Sequence, residues 1–398
     1  MTTRLSIVMP VFNAVATLRG AMDSVLTQTH RDFELVAVDD GSTDASPQVL
    51  RAYAEADSRV RVLHIKHAGL VVALQRGAAE ATGDVLGRMD ADDLCAPDRF
   101  EKQMALMDAS GADVVSCRVA WPPPGPPAPA PPFPMKIESS GPFIPSTTSN
   151  PPLLPTPSPL PPGIAHYMDW INSLTDHEAM ARERFIESPL AHPTVLMRRA
   201  AFERAGGYRD PVWAEDYDLW LRLFEAGARF IKHPDTLYYW RDLPQRATRA
   251  DSRYSLENFL RCKVHYLIRA LLPEGRRFLI WGAGRYGKKL SKRLAERGRV
   301  AGAFIDISPR RIGGRVSFSA QPAPGEPRIP VIGADEIGRT EAIGEHGADQ
   351  TNLTDRSDWS SVILVAVGAR ASDAARNEIR AFLNGRGFVE GRHYWCVA

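Results

Sequence analysis

Short apolar runs alternate with stretches of helical spacing along the first 120 residues. That alternation predicts a parallel α/β sheet flanked by helices. Residues 5–9, 34–38, 60–65, 84–89 and 113–117 read as buried strands, and residues 13–26 and 69–81 as helices between them. The run Asp39-Asp40-Gly41-Ser42-Thr43-Asp44 mixes turn formers with N-caps, so a further helix should start near Ser46-Pro47. From Pro122 to Gly163 the periodicity vanishes, and this stretch holds more than half of the 32 prolines. Proline lacks a backbone donor and fixes φ, so a disordered or polyproline-II surface insertion is expected there. It could serve as a ligand for a proline-recognising module or simply be a tolerated insertion.

Order should resume near Ile164, with helical spacing over 166–184, 200–205, 216–226 and 256–272 and a short strand at 194–197. The 256–272 helix is basic and amphipathic, a pattern that suits either packing on its own domain or peripheral association with an anionic membrane. A second α/β pattern begins with a strand at 278–281, followed by a helix through Arg297, strands at 300–305 and 361–367, and a helix at 371–383. Residues 317–357 give no assignable pattern. The organisation expected is a domain at 1–250 interrupted over about 122–163, a connecting helix at 251–275, and a smaller α/β domain at 276–398.

Composition narrows the partners. The chain carries 49 Lys/Arg against 47 Asp/Glu, a net +2 over 398 residues, which argues against a nucleic-acid partner. Four scattered cysteines show no metal-ligand spacing and fit a reducing, cytoplasmic setting. The N-terminus runs straight into a strand, and no apolar stretch is long enough to span a membrane. Nothing in the pattern specifies an oligomeric state.

The candidate chemistry sits at strand ends, where open α/β sheets bind ligands. Asp39 and Asp40 end the second strand; Asp90, Asp92 and Asp93 end the fourth. Clustered carboxylates repel unless a cation or donors compensate, and oxygen ligands suit Mg²⁺ or Mn²⁺ beside a diphosphate. The plainer alternative is a solvated turn that caps the next helix. Glu215-Asp216 opens a helix, where acids also simply complement the macrodipole.

Taken in order, several segments resemble a family 2 glycosyltransferase of the GT-A fold. They are Ser6-Ile-Val-Met-Pro-Val-Phe-Asn13, Val38-Asp-Asp-Gly-Ser-Thr-Asp44, Gly69-Leu70 with Gly77, Arg88-Met-Asp-Ala-Asp-Asp93 with Pro97-Asp98-Arg99, His192-Pro-Thr194, Gly206-Gly-Tyr208 and Glu215-Asp-Tyr-Asp-Leu-Trp220. The resemblance implies a nucleotide-diphospho-sugar transferase fold, a mostly parallel sheet with flanking helices, over about residues 5–250. It implies that Pro10, Phe12, Asp39 and Asp40 line the nucleotide pocket, with Asp40 reading a base, typically uracil. It further implies that Asp92, with Asp90, holds Mn²⁺ or Mg²⁺, and that Asp216, beside Glu215, is the base of an inverting reaction. His192 could reach the metal or phosphates or be structural, and Arg241, Arg246 and Arg249 could close over the diphosphate. The expected partners are a nucleotide-sugar donor and a saccharide or lipid-linked acceptor. The Gln-x-x-Arg-Trp motif of processive members is absent.

In the second domain Gly282-x-Gly284-x-x-Gly287 follows a strand and opens a helix, and Asp306 ends the next strand. That is the context of a Rossmann-like dinucleotide fingerprint. It leaves open nucleotide or nucleotide-sugar binding, NAD(P)-dependent oxidoreductase chemistry, or a structural role. A protein that binds a nucleotide sugar without turning it over is the remaining rival.

Overall fold

The computed structural model describes residues 4–121, 162–241, 251–318, 325–337, 361–367 and 373–398. The proline-rich stretch, Arg246 and Arg249 lie outside the described residues, as does most of 317–357. Two compact units emerge: Met1–Met180 with Pro189–Ala250, and Ala181–Ser188 with Asp251–Ala398.

The first unit is built on an eight-stranded mixed sheet. Its strands are β1 (Leu5–Val11), β2 (Phe33–Asp39), β3 (Val60–His64), β4 (Val85–Arg88), β5 (Leu94–Cys95), β6 (Val114–Ala120), β7 (Leu196–Arg198) and β8 (Phe230–Tyr239). Their order is β3-β2-β1-β4-β7-β6-β8-β5. The four strands β3, β2, β1 and β4 run parallel, β7 pairs antiparallel with β4 and β6, and β8 lies parallel to β6. The helices are α1 (Val15–Leu26), α2 (Ser46–Ala56), α3 (Leu70–Glu80), α4 (Arg99–Ser110), α5 (Pro162–Ser173), α6 (His177–Glu183), α7 (Arg199–Arg204) and α8 (Glu215–Glu225).

Period-2 alternation explains the layering. Leu5, Ile7, Met9 and Val11 of β1 face one core with α1, α2 and α4, whereas Val8 faces a second core with α3, α7 and α8. A strand covered on both faces reads as a continuous apolar run. Between helix and strand Gly77 has no spare room: a Cβ there would sit 2.4 Å from Val8 Cγ1 and 3.1 Å from Val38 Cγ2.

Two stretches of this unit differ most from expectation. The helical spacing over 166–184 breaks into α5 and α6, because Asp176 caps a new helix by accepting the Ala179 N–H at 2.8 Å. Residues 230–239, unassigned from sequence, form the ten-residue β8. Its Pro234 and charged positions break the apolar alternation, and its pairing with β6 is irregular around Cys117 and Arg118.

The second unit carries a six-stranded sheet of β9 (Phe278–Trp281), β10 (Ala303–Asp306), β11 (Arg315–Val316), β12 (Ile329–Gly333), β13 (Val362–Val365) and β14 (Tyr394–Cys396). Its order is β11-β12-β10-β9-β13-β14, parallel except for β11. Thus β12 lies within the stretch that gave no sequence pattern. Three further helices span Leu256–Ala270, Arg285–Ala295 and Asp373–Gly385. The first buries its apolar face through Leu260, Val264 and Leu267. Its Lys263 ammonium is also buried, donating to the Ile186 carbonyl. That face is therefore covered by protein and not open to a membrane. Among the described residues no helix is long and apolar enough to cross a membrane.

Gly77→Ala should destabilise the fold by about 1–3 kcal/mol through overpacking against the β-branched Val8. Urea unfolding reads this directly; an unchanged midpoint would refute the close packing of α3 on β1.

Candidate active site

The parallel strands end where the acids begin. At the end of β2, Asp39 and Asp40 are both buried. Asp39 accepts the Ser42 N–H at 3.0 Å and faces His64 Nδ1 at 3.0 Å. Asp40 accepts the Ala68 and Gly69 N–H groups at 2.8 and 2.9 Å, with His67 Nδ1 2.9 Å from Oδ2. Gly41 has φ +70°, and a Cβ there would meet the His67 nitrogen at 2.7 Å, so only glycine lets the two loops meet. The rest of the acidic turn serves the fold. Ser42, Ser46 and Asp44 accept the N–H groups of Asn13, Ala14 and Val15, closing the N-terminal end of α1.

Pro10 lies within β1, and Phe12 follows its end. Phe12 is 46% exposed and stacks on the exposed His67 ring at 4.1 Å between centroids and 20° between planes. An open aromatic pair whose His67 contacts the Asp40 carboxylate offers a face to a planar group.

At the end of β4, Asp90, Asp92 and Asp93 present ligand oxygens that all lie within 4.8 Å of one another. Their environments differ. Asp93 is fully buried, accepting the Tyr238 hydroxyl at 3.1 Å and the Arg241 N–H at 2.7 Å. Asp90 pairs with Arg88 at 2.6 Å, and its N–H points at the Tyr238 oxygen at 3.4 Å. Asp92 is half-buried. Such an all-oxygen set fits a hard divalent cation. Arg241 lies beside it, with burial working against its charge and Asp93 and Asp92 supporting it.

Arg88 is buried and had no role in the sequence reading. Burial opposes its charge, but Asp90 and nearby groups hold it protonated. Arg99, also fully buried, fixes the turn by donating to the carbonyls of Arg88 and Pro193 at 3.2 and 2.8 Å.

His192 is not part of the acidic set. It is buried, its Nε2 lies 2.9 Å from the Tyr208 hydroxyl, and its Nδ1 lies 3.6 Å from Glu215. Burial, then the Arg88 charge, push its pKa down to about 4, so the ring is neutral near pH 7. Tyr208 follows Gly206 and Gly207, whose φ of +81° and +64° make the turn that delivers it.

Glu215 and Asp216 open α8. Glu215 is 1% exposed and faces His192, whereas Asp216 is more accessible. Burial, then the neighbouring Glu215 charge, raise the Asp216 carboxyl to about 7, with Arg88 pulling in the opposite direction. Asp218 of the same segment is structural, held by Trp213 at 2.9 Å and Arg222 at 2.8 Å. Arg88, Glu215, Asp216 and Asp90 all act on the one Tyr208 hydroxyl. The fourth-strand acids and the α8 acids therefore share one electrostatic neighbourhood.

In the second unit Gly282 has φ +109°, and a Cβ on Gly287 would lie 1.9 Å from the Gly282 carbonyl oxygen, so both positions need glycine. Gly284 is open, with nothing within 4 Å of a Cβ. Asp306, however, is engaged inside the protein: it accepts the N–H groups of Ala283 and Ser308 at 2.9 Å and pairs with Arg311 at 3.0 Å. Burial would raise its pKa, but these donors lower it.

The chain is similar to several known glycosyltransferases. The uncharacterised glycosyltransferase YibD of Escherichia coli is 38% identical over 120 residues, covering 30% of this chain and 35% of its own length. The putative glycosyltransferase EpsE of Bacillus subtilis is 28% identical over 260 residues, 64% of this chain and 79% of its own. The S. aureus TarS 1-349 structure in complex with UDP-GlcNAc aligns with TM-score 0.46 at 17% identity, over 73% of this chain and 71% of that one. The profile of "Glycosyl transferase family 2" matches residues 6–204. With its large mixed sheet between helical layers and its acids at the strand ends, the chain belongs to glycosyl transferase family 2.

Proposed function

We propose that the first unit is an inverting, metal-dependent, non-processive glycosyltransferase. It would move a sugar from a nucleotide-diphosphate donor, UDP-linked by the resemblance, to a saccharide or lipid-linked hydroxyl. The observation that carries the reading is the buried Arg88–Asp90 pair, whose charge also bears on Asp216; it supports one site with a diphosphate end and an acceptor end. Pro10, the Phe12–His67 stack and the Asp39/Asp40 turn would receive the base and ribose. Asp92 and Asp90 would hold Mn²⁺ or Mg²⁺ against the diphosphate, with Arg241 beside them. The cation, when bound, offsets charge developing on the leaving diphosphate.

Asp216 would take the proton of the acceptor hydroxyl as that oxygen attacks the anomeric carbon opposite the leaving group. Its raised pKa suits the task, since a base works best with a pKa near the operating pH. Glu215 would act through its charge, because it is sealed against His192 and less accessible than Asp216. The transferase role is proposed for 1–250, and the glycine loop belongs to the 276–398 region. In the second unit Asp306 accepts from Ala283, Ser308 and Arg311, so a ribose hydroxyl would have to share this carboxylate with three internal partners.

Asp216→Asn should lower kcat by roughly 10²-fold or more. Asp92→Ala should lose turnover that added Mn²⁺ only partly restores. Release of nucleoside diphosphate from a panel of nucleotide sugars measures both; two folded variants with normal turnover would end the proposal. The pH dependence has a definite sign. Asp216 must be ionised to accept a proton, so kcat should climb with pH through an apparent pKa near 7, the value its surroundings impose. The same shift acts on stability. The folded state binds the proton more tightly than the unfolded chain, so stability is lost as pH rises from about 4 to 7. Asp216→Asn should therefore melt a few degrees (~2–6 °C) above the parent at pH 8, with the gap narrowing at pH 5. Equal melting curves at both pH values would contradict the burial of that carboxyl.

A further inference from the structure

Charge is distributed unevenly along the chain. Between Arg276 and Arg299 there are nine Lys/Arg and a single acid, Glu296, although the whole chain is only +2. The remainder is therefore net acidic, and this segment of the second unit carries the excess positive charge, five of its nine cations lying on one helix.

The helix Arg285–Ala295 arranges these charges on one face. Arg285, Lys288, Lys289 and Lys292 follow i, i+3, i+4, i+7 spacing and are all exposed. The opposite face is core, with Gly287, Leu290, Ser291 and Leu294 buried. Arg293, on the flank, is neutralised by Glu257 and Glu296, each at 2.6 Å. Among the described residues no acid forms an ion pair with the four residues of the strip. Eleven residues at about 1.5 Å each make a cationic ridge roughly 16 Å long.

We propose that this ridge docks the protein on a bilayer surface rich in anionic lipid. Charge complementarity is the first argument: headgroup phosphates offer a plane of negative charge that a row of long, flexible cations can follow. The second argument is the company the ridge keeps. Asp306 ties its loop to Ala283, bringing the exposed Ile307 to the N-terminal end of the ridge, and the half-exposed Val300 follows the other end. The large exposed apolar side chains described in this unit are Leu256, Val300, Ile307, Ile312 and Val389, all aliphatic. Single-stranded nucleic-acid surfaces pair cations with stacking aromatics, whereas aliphatic side chains beside Lys and Arg suit the headgroup boundary. The inference stands independently of the transfer chemistry proposed for the first unit.

Vesicle co-sedimentation of the full chain tests it. Binding should be strong to vesicles containing phosphatidylserine or phosphatidylglycerol and negligible to pure phosphatidylcholine. It should weaken sharply as salt rises, because screening shortens from about 10 Å at 0.1 M to about 3 Å at 1 M. Lys288→Glu/Lys289→Glu should weaken binding by on the order of tenfold or more. The charge-matched control Arg4→Glu/Arg51→Glu, two exposed positions of the first unit, should bind like the parent. Acids near a helix start favour the helix, so thermal unfolding of the lysine variant should match or exceed the parent and exclude misfolding as the cause. Equal binding by the two double variants, or binding indifferent to lipid charge, would overturn the proposal. So would an oligonucleotide that outcompetes anionic vesicles for the ridge.

Discussion

The first unit's site depends on one buried ion pair, Arg88 with Asp90. A lone guanidinium taken out of water costs several kcal/mol, and a pair recovers that only when geometry and further partners are favourable. Here Asp90 makes the close contact, while Glu215 and Asp216 reach the same region from a helix more than a hundred residues away in sequence. The reverse also holds: acids gathered at two chain segments would repel one another without a fixed cation between them. Arg88 is that cation, and the turn after it is pinned by Arg99 and Tyr238 rather than left to solvent. The acidic set thus has a shape fixed by protein groups, which is what preorganised electrostatics requires.

How much of this was legible follows from which residues announce themselves locally. Asp39, Asp40, Asp90 and Asp92 could be picked out because short apolar runs stop at them, and the ends of parallel strands are where ligands bind. Arg88, Tyr208 and Tyr238 could not. Arg88 ends an otherwise apolar strand, where a charge would ordinarily face water, and its burial follows from partners that arrive later in the chain. Tyr238 belongs to β8, whose proline and charged positions hide its strand character. Tyr208 depends on a two-glycine turn whose φ values are invisible until the turn is seen.

Two sequence candidates acquire a different physical meaning. His192, a metal or phosphate candidate or a structural residue by its sequence, has its nitrogens facing Tyr208 and Glu215, on either side of one ring. Asp40 was assigned to reading a base, yet its oxygens already take two backbone N–H groups and sit beside His67. A carboxylate has about four lone-pair sites, so it retains capacity, but its first effect is to hold the 67–69 loop in place. That loop supplies His67, the partner that turns the exposed Phe12 into a platform. The sequence motif marked the acid, and the acid builds the aromatic surface.

The second unit shows the same separation between a motif and its use. Gly282 and Gly287 meet steric demands that only glycine satisfies, whereas Gly284 does not, so part of the fingerprint reflects a genuine backbone constraint. Asp306 instead latches the glycine loop to β10 and to Arg311, internalising the group a ribose would need. The helix that follows carries Arg285 at its first position, against the macrodipole, at a cost of typically 0.3–1 kcal/mol. Like charges at i, i+3 and i, i+4 along its exposed face add roughly 0.2–0.5 kcal/mol of repulsion per pair. Burial of Leu290 and Leu294 is enough to hold such a helix together, at about 1.5–3 kcal/mol for each side chain. Folding therefore tolerates the ridge without requiring it. Only Lys292 and Arg293, in the last turn, complement the macrodipole; Arg285, Lys288 and Lys289 gain nothing from the fold, so their row is free to serve a negatively charged partner.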